Sequence, residues 1–293
     1  MDKLLVIGAS GMLGSRIMDI GASRYEEYGT YKEHKLNGKN MHMLDVNKRE
    51  DAFELVNKIK PDLIVDTHAL HNVDYCELHK EEAWGANVDG TRNVAEAAKI
   101  VGAKYVYIST DYVFDGKKLD YTEKDKPNPL NYYAKTKLVG EHILSILDIN
   151  YLIIRTAVIY GNGGSGKVPF PIWLADKLMK GEKVNVVVDQ HNNPTFADSI
   201  ADSIFKLHKA DMTGLFHVTG SDCMSRYDFA ISIAKAFNLD KSLISPITTP
   251  QLNQVALRPE KVKMDTGKVE KAINTRMIGV EEGLGLFKEQ VGK

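Results

Sequence analysis

Tyr133 and Lys137 stand four positions apart in "NYYAKTKLVGEH", residues 131–142. On a helix that spacing puts a phenol and an ammonium on one face, one turn apart. A free phenol, with a pKa of about 10, is a ready acid and a poor base until a neighbouring cation stabilises its phenolate, so such a pair can hand a proton to a carbonyl oxygen. Spacing alone does not single it out, because Tyr28/Lys32 and Tyr31/Lys35 repeat the Tyr-x3-Lys pattern. Context does. The segment "YISTDYVFDG", residues 107–116, brings two hydroxyls, Ser109 and Thr110, to the end of an apolar run, just upstream of the helix that would carry Tyr133 and Lys137.

A glycine loop supplies the matching cofactor chemistry. Gly8, Gly11 and Gly14 in "VIGASGMLGSRI" follow an apolar strand pattern and open a helix pattern. The turn needs a permissive backbone at Gly8, a pyrophosphate needs close approach at Gly11, and helix-to-strand packing needs a missing side chain near Gly14. Free N–H groups of Ser10, Gly11, Met12 and Leu13 and the positive end of the helix dipole then face the phosphates. The dinucleotide is decided at "GTYKEHK", where Glu33 could take a ribose hydroxyl of NAD and Lys32 and Lys35 could neutralise a 2′-phosphate. NADP(H) is favoured, with NAD(H) left open.

The elements that would position these residues alternate short aliphatic runs with amphipathic stretches: "LLVIG", "EYGTY", "DLIVDT", "KYVYIST" and "YLIIRT", separated by patterns such as "NVAEAAKIVG". Strands apolar on both faces with a helix between each pair specify an α/β fold, a doubly wound parallel Rossmann sheet covered on both sides. Ligands of such sheets sit at the strand C-terminal ends. A glycine-rich loop, "IYGNGGSGKVPF", ends this region. We expect a dinucleotide-binding domain over 1–160, with a return segment near 184–212, and a smaller mixed α/β substrate domain over most of 161–293. In the latter, "PIWLADKLMKG" and "SRYDFAISIAKAFN" read as helices, the second capped by Ser225, "KVNVVVD" and "GLFHVTG" as strands, and "LISPITTPQLNQ" as surface loop.

The bulk numbers exclude several classes. Lys and Arg total 38 against 39 Asp and Glu in 293 residues, so no field attracts nucleic acid or a membrane surface. Two cysteines are too few for a stapled secreted scaffold, and the N-terminal apolar run stops after about five residues, short of a signal core or membrane span, so a cytoplasmic location is expected. "HALHNVDYCELH" offers His68, His71, Cys76 and His79 as metal ligands, but it reads as a loop entering a helix rather than paired knuckles, and no metal is expected.

Taken together, "GASGMLG", "NVDGTRNVAEAA", "STDYVFDG", "YTEKDKPNPLNYYAKTKLVGE", "RTAVIYG", "DQHNNPT" and "RPEKVKMD" resemble the extended short-chain dehydrogenase/reductases, and within them the dTDP-4-dehydrorhamnose reductases, over almost the whole chain. The resemblance implies hydride transfer to the C4 ketone of a nucleotide-linked 4-keto-6-deoxysugar, with Tyr133 as proton donor, Lys137 beside it and on the nicotinamide ribose, and Thr110 holding the carbonyl oxygen. It also implies cofactor contacts at Asp45, Val46, Ala69, Leu70 and Asn87, the last bracing the strand end, and substrate contacts at Thr110, Asp111, Tyr133 and Val158. Four positions depart from the pattern: Val158 stands where a tryptophan is usual, Arg226 where an aromatic is usual, and His68 and His71 where small or hydroxylic residues are usual. The alternative is a non-catalytic NADP-binding regulatory subunit resembling that of methionine adenosyltransferase, which would bring a partner enzyme. A third reading is a sugar-nucleotide epimerase, and a homodimer is compatible with each.

Overall fold

Strand β1 (Lys3–Ile7) is apolar on both faces because both are covered: Leu4 and Val6 enter one apolar cluster, Leu5 and Ile7 another. The same alternation runs through β4 (Leu63–Asp66), β5 (Lys104–Thr110) and β6 (Tyr151–Thr156), as period-two strands of a buried sheet require. The computed structural model describes residues 1–166 and 168–292. Between β1 and β4 lie β2 (Glu26–Tyr31) and the short β3 (Met41–Met43), which the sequence pattern did not announce. Four short strands follow β6, namely β7 (Ile159–Tyr160), β8 (Val184–Val187), β9 (His191–Asn192) and β10 (Thr195–Phe196), before β11 (Gly214–His217) returns to the sheet. The seven-stranded sheet has the order β11-β6-β5-β4-β1-β2-β3, with every pairing parallel.

Helices α1 (Met12–Gly21), α2 (Arg49–Ile59), α3 (Val73–Leu78), α4 (Lys80–Trp84), α5 (Gly90–Val101) and α6 (Tyr132–Leu147) connect these strands. A single π turn, Gly85–Asp89, joins α4 to α5. The later helices are α7 (Phe170–Met179), α8 (Ala197–Lys209), α9 (Arg226–Ala236), α10 (Thr249–Leu252), α11 (Gly267–Ile273) and α12 (Val280–Val291). Leu13 and Ile17 of α1 and Ile200, Ile204 and Leu207 of α8 cover one sheet face, and residues of α2, α5 and α6 cover the other.

Three expectations change. "GLFHVTG", assigned to the second region, is β11 and extends the main sheet against β6 in register Gly214↔Leu152. Of the return segment near 184–212, Val184–Val187 instead pairs with β13 (Ile244–Ile247), while α8 does pack on the sheet. "LISPITTPQLNQ" is therefore β13 and α10 rather than loop, and Thr248 closes a capping box with Gln251. Ser225, by contrast, caps α9 as its sequence position suggests, accepting from the Asp228 N–H at 3.0 Å. It lies in β12 (Met224–Ser225), which pairs antiparallel with β9.

Helix α6 is fastened to the sheet by charge. The buried Arg155 of β6 donates to Glu141 through Nε at 2.9 Å and Nη2 at 2.6 Å, and Ser109 Oγ donates to the same carboxylate at 2.6 Å. Breaking a buried pair strands a charge and costs about 3–5 kcal/mol, whereas replacing both partners with apolar residues of similar volume is often neutral. Glu141→Ala should therefore lose about that much stability in denaturant unfolding, with Glu141→Leu/Arg155→Met losing far less; a single variant within about 1 kcal/mol of wild type contradicts the role.

Candidate active site

The glycine turn is shaped by its own backbone. Gly8 sits at φ +81°, a region that favours glycine, and a Cβ there would crowd the His68 backbone nitrogen at 3.1 Å. A Cβ on Gly14 would lie 2.8 Å from the Ala9 Cα, so α1 can cross the end of β1 only without a side chain there. Gly11 is the N-cap and offers no side-chain cap, leaving the first-turn N–H groups, those of Met12 and Leu13 among them, without a side-chain acceptor. An anion can take that place, and the pyrophosphate of a dinucleotide fits it. Gly163 and Gly164, both at positive φ, bring a second glycine loop against this turn, with the Ser165 N–H donating to Ser10 O at 2.9 Å.

Around the turn, the sequence-chosen residues fall into two groups. Lys32 forms a 3.3 Å ion pair with Asp45, so the side chain suited to a 2′-phosphate and the carboxylate suited to adenine are tied together at the sheet edge. The Val46 carbonyl is held by Asn93 Nδ2 at 2.9 Å. Asn87, in the π turn, is buried and clamps the chain after β4: its Oδ1 accepts from the Leu70 N–H at 2.8 Å and its Nδ2 donates to the Leu70 carbonyl at 3.1 Å, which also fixes Ala69. Both ring nitrogens of His68 are engaged, with Asp66 and with the Ala86 carbonyl, and Cys76 donates to the Leu70 carbonyl at 3.2 Å. His79 stacks on Tyr75. Among the described residues, no group of three or more His, Cys, Asp or Glu could hold a metal ion.

Thr110, Asp111 and Tyr133 converge at the C-terminal end of β5, and Lys137 follows one turn along α6, buried against Tyr107 of the same strand. Asn131 caps α6, accepting from the Ala134 N–H at 2.9 Å, and this sets the first turn so that Tyr133 faces Thr110 and Asp111. Burial pushes the Tyr133 phenol above its ordinary range, the nearby Asp111 carboxylate raises it further, and the Thr110 side chain beside it pulls the other way. Lys137 is 2% exposed with its Nζ 4.0 Å from the Tyr107 ring centroid. Burial lowers its pKa to about 8, against the opposing pull of Asp66 and Glu141. The phenol thus keeps its proton across the working range, while the lysine sits close to the point of losing its own.

Asp111 is the second buried acid of the cluster. Its carboxylate accepts from Thr110 Oγ1 at 3.1 Å and from Asn192 Nδ2 at 2.6 Å. Burial raises its pKa to about 6, while Arg226, Asn192 and Thr110 act to lower it. The Asn192 clamp was not singled out from the sequence, although "DQHNNPT" had marked its segment; only the fold shows that β9 reaches back to β5. Val158 holds φ +44°, a genuine outlier for a β-branched residue, and packs against two apolar clusters, one within the C-terminal half and one that joins Val113, Phe114 and Tyr121 to Val262 and Met264. Arg258 grips Asp74 through two nitrogens, at 2.5 and 2.9 Å, and the Leu257 carbonyl accepts from Asn131, so the C-terminal segment braces the start of α6.

Comparison with known proteins adds lineage to this geometry. The family model described as "RmlD substrate binding domain" matches residues 2–291. The dTDP-4-dehydrorhamnose reductase of Aggregatibacter actinomycetemcomitans is 32% identical over 284 residues, covering 93% of each chain. The methionine adenosyltransferase 2 subunit beta of Bos taurus is also 32% identical, over 298 residues, 97% of this chain and 88% of that one. Among solved structures, a dTDP-4-dehydrorhamnose reductase from Bacillus anthracis in complex with NADP superposes with a TM-score of 0.89 at 29% identity, covering 99% of both chains. A hypothetical dTDP-4-dehydrorhamnose reductase from Sulfolobus tokodaii gives a TM-score of 0.86 at 32% identity, with 96% and 98% covered. By sequence and by fold, the chain belongs to the RmlD substrate-binding domain family.

Proposed function

We propose that this protein is an NADPH-dependent reductase of the C4 ketone of a nucleotide-linked 4-keto-6-deoxysugar, giving a product of the dTDP-rhamnose type. The observation that carries the reading is the meeting of Thr110 and Tyr133 at the end of β5, with Lys137 buried one turn along the same helix, in the sheet whose first strand ends in an uncapped glycine turn. Bound there, the dinucleotide supplies the hydride. Tyr133 gives its proton to the carbonyl oxygen as the hydride arrives, and the Lys137 ammonium lowers the cost of the phenolate left behind. Thr110 would hold that oxygen, its hydroxyl turning to it from Asp111. Gly8 through Gly14 seat the phosphates, Asn87 fixes Ala69 and Leu70 along the coenzyme, Lys32 favours a 2′-phosphate, and Asp111 and Val158 line the sugar pocket.

A second reading, a cofactor-binding regulatory subunit, is favoured by the 32% identity to a methionine adenosyltransferase subunit and by Val158 in place of the usual aromatic. Cofactor oxidation with a ketosugar nucleotide separates the two. Tyr133→Phe should keep NADP binding while turnover falls by a factor of about 100 or more, the upper part of the range for general-acid catalysis; an unimpaired variant removes Tyr133 from the chemistry.

The pH dependence follows from Lys137, whose pKa is lowered to about 8 by burial. Below that value the ammonium is present, and above it the phenolate loses its counter-charge. Reductase turnover should therefore decline as pH rises through about 8. A plateau extending to pH values near the ordinary lysine range, about 10.4, would contradict that role.

A further inference from the structure

The C-terminal wall beside Asp111 carries a cation that the proposed proton transfer does not use. Arg226 is the first residue of α9, held in place where its own N–H donates to the Gln190 carbonyl at 2.9 Å. Its side chain is half-buried and close enough to influence the Asp111 carboxylate, yet among the described residues its guanidinium makes no hydrogen bond or ion pair. Asp111 does not need it, being already held by Thr110 and Asn192. A planar fork of five N–H donors kept partly out of water without an acceptor is costly unless a ligand supplies one.

A second observation marks the same wall. Asn192 is 2% exposed, and while its Nδ2 is spent on Asp111, its Oδ1 has no hydrogen-bond partner. A buried acceptor of this kind calls for a donor such as a sugar hydroxyl. Lys261, bridged to His191 beside it, is exposed and in no ion pair among the described residues, so a second cation lies near this wall.

We infer that Arg226 grips the diphosphate of the substrate, with Asn192 accepting from the sugar ring. In a six-membered ring C1 lies across from C4, so a sugar with its C4 carbonyl at Thr110 and Tyr133 directs its C1 diphosphate to the opposite wall. The substrate is then held by charge, in a pocket where Val158 replaces the usual tryptophan. This inference rests on the nucleotide-sugar reading.

The test is calorimetric titration of the NADP-loaded protein with deoxythymidine diphosphate and with thymidine, for wild type, Arg226→Met and Arg226→Gln. A lost charge-assisted contact corresponds to roughly 10- to 100-fold weaker diphosphate binding in both variants, with thymidine unaffected and the salt dependence of wild type reduced. NADP affinity and melting temperature serve as folding controls, and the glutamine variant keeps the first turn polar should methionine disturb it. Diphosphate affinity within twofold of wild type in a folded variant overturns the inference, and so does a wild type that binds no nucleoside diphosphate. A wild type that binds the diphosphate through Arg226 but reduces no ketosugar supports the subsite and sinks the reductase reading instead.

Discussion

Helix α6 lies so close to β5 that no methyl group fits between Gly140 and the Tyr107 hydroxyl, and the site depends on that approach. The Tyr107 hydroxyl donates to the Lys137 carbonyl at 3.3 Å, Glu141 is locked to Arg155 and Ser109, Asn131 ties the helix start to Leu257, and Thr136 accepts from Asn87 at 3.0 Å. These contacts come from four separate segments. All bear on α6, so the helix cannot slide along the sheet without breaking several of them. Tyr133 and Lys137 inherit their placement at the end of β5 from this docking, as a preorganised site requires.

The same docking sets the electrostatics. It buries Lys137 against an aromatic face and Asp111 beneath the tyrosine, moving the first to about 8 and the second to about 6. Each unit of such displacement corresponds to about 1.4 kcal/mol of disfavoured charge, so the cluster is held against the fold's own preference. Val158 adds backbone strain of the order of 1–3 kcal/mol nearby. The sheet, apolar on both faces, and the buried pair beneath α6 can bear that cost. Local cost at a pocket and stability in the layers around it are the division expected of a catalytic cleft.

Much of this architecture is legible in the chain because it is local. The five aliphatic runs become β1, β2, β4, β5 and β6, since alternation on two covered faces is written residue by residue. The Tyr-x3-Lys ambiguity also resolves locally. Tyr28 lies in strand β2, where a spacing of four separates residues by about 13 Å, whereas Tyr133 and Lys137 share a helix face. What the chain hides is long-range. The place of β11 beside β6, the pairing of β8 with β13, and the reach of Asn192 to Asp111 join segments about 60 to 80 positions apart, and no periodicity encodes a partner at that distance. Short β3 carries too few residues to show a period at all.

The most direct measurement is a crystal structure of the protein soaked with NADP and the sugar nucleotide product. A pyridine ring at the end of β5, with the Tyr133 hydroxyl and the Lys137 ammonium turned toward one gap the width of a sugar ring, is the result this geometry predicts. A coenzyme bound away from α6, or a Tyr133 hydroxyl directed out of that gap with the product present, would contradict it.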